Sequence, residues 1–98
     1  MSGGTTLYSH HGTLGAGTVD TVVLSEGGGA VSVTNLDDTD TIWARFEPPM
    51  GTADPAAGAA NTLPIVKAST RGFAIGPRVT TVKLVSGGAA EYVVDRTQ

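Results

Sequence analysis

The stretch VTNLDDTDTIWARFE, Val33 to Glu47, contains the clearest secondary-structure pattern in the chain. Its Asn and Asp residues predict a turn, because their short side chains bond back to nearby backbone amides. After the turn comes a β-strand pattern, in which successive side chains point to opposite faces. One face would carry apolar side chains into a core, namely Ile42, Ala44 and Phe46. The other face would carry Trp43, Arg45 and Glu47 outward.

Short apolar runs separated by turn-forming residues recur along the rest of the chain, without a helical period. Thr, Val and Gly are abundant, with 14, 11 and 14 residues, which is typical of β-proteins. The predicted strands are Val19–Ser25, Val31–Asn35, Thr41–Glu47, Leu63–Ala68, Val79–Ser86 and Glu91–Asp95. The predicted fold class is therefore all-β, a small antiparallel β-sandwich of about six to eight short strands.

The connections between these strands are rich in Gly and Pro. SEGGGA, Ser25 to Ala30, separates two Val-rich runs and predicts a hairpin, and SGGA, Ser86 to Ala89, predicts the turn between the last two strands. Three prolines in Pro48–Thr62 predict a long surface loop. Residues 1–17 are polar and glycine-rich and predict a flexible N-terminal arm, which leaves residues 18–98 as a single β-sandwich domain.

The composition argues against several classes of function. The chain has no cysteine, which excludes disulfides and thiolate metal sites. Its formal net charge is −3 and its six Lys and Arg residues are scattered, whereas nucleic-acid binding requires a basic surface. No apolar run approaches the roughly 18 residues of a membrane span, and the first residues lack the pattern of a signal peptide. We expect a soluble protein made in a host cytoplasm, with no nucleic-acid partner and no membrane association.

No group of residues predicts catalysis, a metal site or a cofactor. His10 and His11 are adjacent, so in an extended chain their imidazoles diverge and chelate one ion poorly. Asn35–Asp40 resembles the start of a calcium loop, but the sixth position holds Asp40 instead of Gly and the twelfth holds Phe46 instead of Glu. The glycine-rich stretches do not follow a strand and open a helix, as a phosphate-binding loop does. We expect that the protein is not an enzyme and uses no cofactor.

The outward position of Trp43 predicts a binding surface. Trp and Arg are enriched at the centres of protein interfaces. Two other interpretations stay open, a position at the rim or in the core of the sandwich and a platform for stacking a ligand. The residues predicted to contact a partner are Leu7, Tyr8 and Leu14 in the arm and Trp43, Arg45, Glu47, Pro48, Pro49 and Met50. The core has few large side chains, so we also expect stabilisation by oligomerisation or docking.

A series of motifs covers most of the chain between Val19 and Asp95. They are VDTVVL, VSVTNLDDTDTIWARFE, a loop of Gly, Ala and Pro, LPIV and VTTVKLVSGGAAEYVVD. This order resembles small virion structural proteins of tailed bacteriophages, particularly phages of actinobacteria. That family has an I-Y/W-x-R strand and closes on V-K-L-x-S-x-G-x-x-x-Y-x-V. Here the closing motif falls on Val82, Lys83, Leu84, Ser86, Gly88 and Tyr92.

The resemblance implies a capsid decoration protein that binds the outer surface of the major capsid protein lattice and stabilises the head. The partners would be the major capsid protein and further copies of the chain, as a homotrimer at a threefold position of the capsid exterior. One alternative is another virion position, in head-tail joining, in the tail or in a fibre. A second alternative, from a different class, is a carbohydrate-binding or host-adhesion module.

Overall fold

Eight β-strands form two antiparallel sheets in a computed structural model, which describes residues 9–24, 29–47, 54–59 and 62–97. The strands are β1 (Ser9–Leu14), β2 (Asp20–Val23), β3 (Ala30–Asn35), β4 (Ile42–Glu47), β5 (Leu63–Ile65), β6 (Ser69–Ala74), β7 (Thr81–Ser86) and β8 (Ala90–Thr97). One sheet has the order β1-β8-β3-β6, and the other has the order β2-β7-β4-β5. The predicted antiparallel β-sandwich is confirmed.

Successive strands lie in opposite sheets at every connection except the one between β4 and β5. The first strand, β1, is hydrogen-bonded to the last, β8. Two four-stranded sheets with these orders are the arrangement of a jelly roll, which combines two Greek keys. The hairpin predicted at Ser25–Ala30 is therefore wrong, because β2 pairs with β7 whereas β3 pairs with β8 and β6.

The core lies between the inner faces of the two sheets. It includes Val31, Val33, Ile42, Ala44, Phe46, Val82, Leu84, Tyr92 and Val94, all buried. Phe46 of β4 also meets Phe73 of β6 edge to face, with the ring centroids 4.8 Å apart. Burying aliphatic area of this kind contributes about 25 cal/mol per Å² and is the main favourable term for folding. The side chains predicted to face inward from β4 do so.

The N-terminal arm predicted over residues 1–17 is wrong where it overlaps β1. Ser9–Leu14 pairs with β8 over six consecutive residues, and Leu14 is completely buried in the core. Pairing satisfies backbone groups of β8, and the buried Leu14 side chain adds apolar contact, so this segment gains more than its ordering costs. Leu7 and Tyr8 lie outside the described residues.

The predicted strand Leu63–Ala68 is shorter in the structure, where β5 ends at Ile65. The chain then turns over Val66 to Ala68 and enters β6 in the other sheet. Ala68 has a positive φ of 53°, and its amide donates to the carbonyl of Asp37 at 2.8 Å. A left-handed residue breaks the extended backbone, so the strand cannot continue through this position.

Candidate functional surfaces

On β4 and β7 the outward side chains of the β2-β7-β4-β5 sheet are buried or half-buried, whereas Thr21 and Val23 of β2 are exposed. We call these outward side chains on β4 and β7 the covered face, namely Trp43, Arg45, Glu47, Thr81, Lys83 and Val85. Val85 points away from the core and is still only 2% exposed. Residues 54–59 contribute to this cover: Pro55 is buried, and a Cβ atom on Gly58 would lie 4.0 Å from Cζ2 of Trp43.

A cluster of charged side chains is enclosed on the covered face. Glu47 lies between two cations, with Oε2 3.6 Å from Arg45 Nε and Oε1 3.4 Å from Lys83 Nζ. Lys83 Nζ also donates to Asp54 Oδ1 at 2.9 Å, which links β7 to the covering segment. That hydrogen bond holds the pKa of Lys83 above its ordinary value, and the charges of Asp54 and Glu47 act in the same direction, against desolvation of the ammonium group. The Asp54 side chain is 71% exposed, so this bond links the covering segment to the sheet where the enclosed cluster meets solvent.

This arrangement changes the interpretation of the predicted partner-binding residues. Trp43 does face away from the core, as predicted, but it is half-buried. Arg45 and Glu47 are only 5% and 7% exposed, so they do not offer a surface to a partner in this arrangement. Leu14 is a core residue, which corrects its predicted role as an anchor. Pro48, Pro49 and Met50 lie outside the described residues.

The outer face of the β1-β8-β3-β6 sheet has the opposite character, and we call it the open face. Its side chains are small or polar and are exposed or half-buried: Ser9, His11, Thr13, Ala30, Ser32, Thr34, Thr70, Gly72, Ala74, Glu91, Val93 and Asp95. The hydroxyls of Thr34 and Thr70 are 2.8 Å apart and link β3 to β6 across this face. Short side chains on a sheet let another surface approach the backbone closely.

The acidic turn between β3 and β4 satisfies its own backbone. Asp37 Oδ2 accepts the amides of Thr39 at 3.0 Å and Asp40 at 2.6 Å. Asn35 is buried; its Oδ1 accepts the Asp37 amide, and its Nδ2 donates to the carbonyls of Asp40 and Ile65. These groups serve as turn caps, in line with the interpretation of this stretch as a turn.

A buried tyrosine connects the two sheets. Tyr92 of β8 donates its hydroxyl to Asp20 Oδ2 of β2 at 2.9 Å, and the His10 ring lies 6.0 Å from its ring. Burial raises the pKa of Tyr92 above its ordinary value, and the hydrogen bond to Asp20 and the charge of Asp20 raise it further. Gly12 opposite leaves the space for this ring, since a Cβ there would lie 2.6 Å from Tyr92 Oη. No signal in the sequence indicated this contact, because 72 residues separate the two partners.

The described residues contain no group of three or more His, Asp or Glu side chains placed to hold a metal ion. Within the same part of the chain, no helix is long and apolar enough to cross a membrane. Comparisons with protein-family models, curated proteins and solved structures give no match to this chain.

Proposed function

We propose that this protein is a non-enzymatic structural protein of a tailed-phage virion, and that it decorates the outer surface of the capsid. The sequence motifs between Val19 and Asp95 motivate this proposal through their resemblance to such proteins. The structural observation that carries it is the open face, a four-stranded sheet surface of small side chains with no charged cluster enclosed on it. Its partner would be the major capsid protein, and its location the exterior of the virion.

The open face replaces Trp43 as the proposed attachment surface. A flat, broad contact suits a protein that lies on a lattice, because an interface needs about 800 Å² from each partner. Val93 at the centre of the face supplies an apolar contact, and the surrounding hydroxyls of residues such as Ser32 and Thr34 supply hydrogen-bonding groups. The jelly roll is found in viral capsid domains and in lectins, but this is an analogy of fold and does not by itself assign a function.

Binding to purified heads that lack the protein tests this proposal. The variant designed to weaken binding to heads is Ser32→Arg, which places a long cation in the middle of the open face on the central strand β3. The matched control is Thr21→Arg, at an exposed position of β2 in the other sheet. We expect the wild type and the control to co-sediment with heads, and Ser32→Arg to bind at least tenfold more weakly while keeping its circular dichroism spectrum.

Other outcomes would contradict the proposal in distinguishable ways. Equal binding by Ser32→Arg would move the attachment surface away from the open face. Sedimentation with tails or with necks, but not with heads, would replace decoration by a role in the tail or in head-tail joining. Binding to cell-wall glycan without binding to any virion part would favour the host-adhesion alternative.

A further inference from the structure

The two sheets end in different kinds of edge strand. The β2-β7-β4-β5 sheet ends in β2, with four residues, and β5, with three residues that include Pro64. Short strands and prolines are the usual means by which proteins protect sheet edges from pairing with other chains. Both edges of this sheet are therefore protected from pairing with another chain.

The β1-β8-β3-β6 sheet ends in two strands without such protection. β1 and β6 each have six residues, neither contains Pro, and both pair with their inner neighbours over six consecutive residues without a bulge; Arg71 of β6 is the one Lys, Arg, Asp or Glu in these two strands. Among the described residues, no strand lies beyond either of them. A long regular edge of this kind presents backbone donors and acceptors that can template another strand.

The direction and length of the two edges match each other. Because β1, β8, β3 and β6 alternate in direction, β1 runs antiparallel to β6 across the sheet. A second copy added in the same orientation would thus place its β1 antiparallel to β6 of the first, with six residues on each side. The ladder would continue between the two molecules without a change of pattern.

The charges near the two edges are opposite. Three basic side chains of the described residues are exposed: Arg71 lies in β6, Lys67 lies two residues before that strand and Arg78 four residues after it. Beside β1, Glu91 and Asp95 of β8 lie across from Thr13 and Ser9. In a joined sheet these acids would be two strand spacings from the neighbouring β6, about 10 Å, which is close to the screening length at physiological salt. They lie on the outer side of the sheet and Arg71 on the inner side, so the attraction would act between the two edges without forming ion pairs. Pairing β1 with β1, or β6 with β6, would instead bring like charges together.

We propose that copies of this chain associate head to tail, with the β6 edge of one copy pairing antiparallel with the β1 edge of the next. This contact is heterologous, so it generates a closed ring when the rotation between neighbours closes. The proposed function includes association between copies of the chain, and this contact specifies how the copies would associate. It rests on the proposed function only in that respect, because the pairing between copies does not require a capsid. Half-buried Phe73 on β6 would gain cover from the incoming strand.

Charge variants at the two edges test the contact in free protein. The β1 variant is His11→Lys with Thr13→Lys, at two exposed positions on the outer side of β1, which would lie next to β6 of the neighbouring copy. The β6 variant is Thr70→Glu with Gly72→Glu; Thr70 is exposed, and a Cβ on Gly72 meets nothing within 4 Å. A third protein carries both sets, and the control is Thr21→Lys with Val23→Lys on the exposed outer side of β2.

The mass of each protein is measured by sedimentation velocity over a range of concentration, with circular dichroism to verify folding. We expect the wild type and the control to associate, each single-edge variant to raise the dissociation constant at least tenfold, and the protein with both sets to associate again. Salt should weaken wild-type association. Mixing the two single-edge variants should also restore association, because each retains the edge that the other has lost.

Each remaining outcome overturns the proposal. Loss of association in the β1 variant alone would show pairing of β1 with β1 about a twofold axis, and loss in the β6 variant alone would show pairing of β6 with β6. A wild type that stays monomeric at all concentrations would show that both edges are covered or inert. Because no heads are present, failure here leaves the proposal of capsid binding intact, and failure to bind heads leaves this contact intact.

Discussion

The covered face and the open face are built on similar frameworks but differ in what lies outside them. Both are the outer surfaces of four-stranded antiparallel sheets. On the covered face, Val85 is nearly inaccessible and Glu47 lies between two cations. On the open face, Val93 at a comparable central position is half-buried among hydroxyls. The sandwich therefore has a third layer on one side, formed by its own chain, and offers the other side to solvent or to a partner.

The difference shows that an outward side chain is not the same as an available one. Alternation along a strand tells which sheet face a residue occupies, but a distant segment decides whether that face meets water. Trp43 illustrates this, because the phase of β4 is as predicted while residues 54–59 lie over the face it occupies. Contacts to a partner are then expected from the face that the chain leaves open.

The largest expected effect compares the same substitution on the two faces. Val85→Asp places a carboxylate at a position that is only 2% exposed and should lower the free energy of unfolding by about 3 kcal/mol, because burying a charge is costly. Val93→Asp should lower it by less than about 1 kcal/mol, since that side chain can reach water. Urea unfolding followed by circular dichroism measures both. Equal losses would mean that the covering segment does not exclude water.

A second comparison removes one negative charge from each face. Glu47→Gln should lower the free energy of unfolding by about 2 kcal/mol, because Arg45 and Lys83 lose the carboxylate between them. Glu91→Gln, at an exposed position of the open face, should change it by no more than about 0.5 kcal/mol. Thermal unfolding at low and high salt provides the measurement. A loss at Glu47 that disappeared in salt would indicate a solvated pair instead of an enclosed one.

The smallest effect concerns the contact that joins the two sheets. Tyr92→Phe should lower the free energy of unfolding by about 1.5 kcal/mol at neutral pH, because the bond to the Asp20 carboxylate is lost. The raised pKa of Tyr92 favours the protonated phenol in the folded state, so its contribution is complete below the unfolded pKa of about 10 and is lost as pH rises further.

Lys83 also has a raised pKa, and the contribution of its charge is likewise lost at alkaline pH. Comparing Tyr92→Phe with Lys83→Met from pH 8 to pH 11 therefore separates two contributions to the pH dependence of stability. One comes from the contact between the sheets and the other from the covered face. We expect each variant to show a shallower alkaline loss of melting temperature than the wild type. If Tyr92→Phe showed the same alkaline loss of melting temperature as the wild type, the tyrosine would not be the source of this pH dependence.

The sequence predicted the central strands better than the edge strands. β3, β4, β7 and β8 lie inside their sheets and were predicted within a few residues, because each carries apolar core residues at alternate positions. β1 and β6 were not predicted as strands. SHHGTL has a single core residue, and STRGFA places the exposed Arg71 on its inner side, so neither shows that pattern.

The cover over Trp43 and Val85 could not be predicted for a different reason. It depends on where residues 54–59 lie, and that is set by contacts such as Lys83 to Asp54, which join positions 29 residues apart. One signal was present: Leu84 and Val85 are consecutive apolar residues, which breaks the alternation of β7. The edges proposed to join neighbouring copies carried a signal too, since three of the six basic residues fall between Lys67 and Arg78.

The position of β8 between β1 and β3 affects the order in which the strands can pair during synthesis. The ribosome delivers β8 after the other seven strands, and among the described strands β1 pairs only with β8, whereas β3 also pairs with β6. Only β4 and β5 can pair soon after synthesis, and pairings between distant segments form slowly. A nascent chain therefore cannot complete the β1-β8-β3-β6 sheet until Ala90–Thr97 emerges. Premature termination before this strand would leave β1 without its partner strand and would expose one edge of β3.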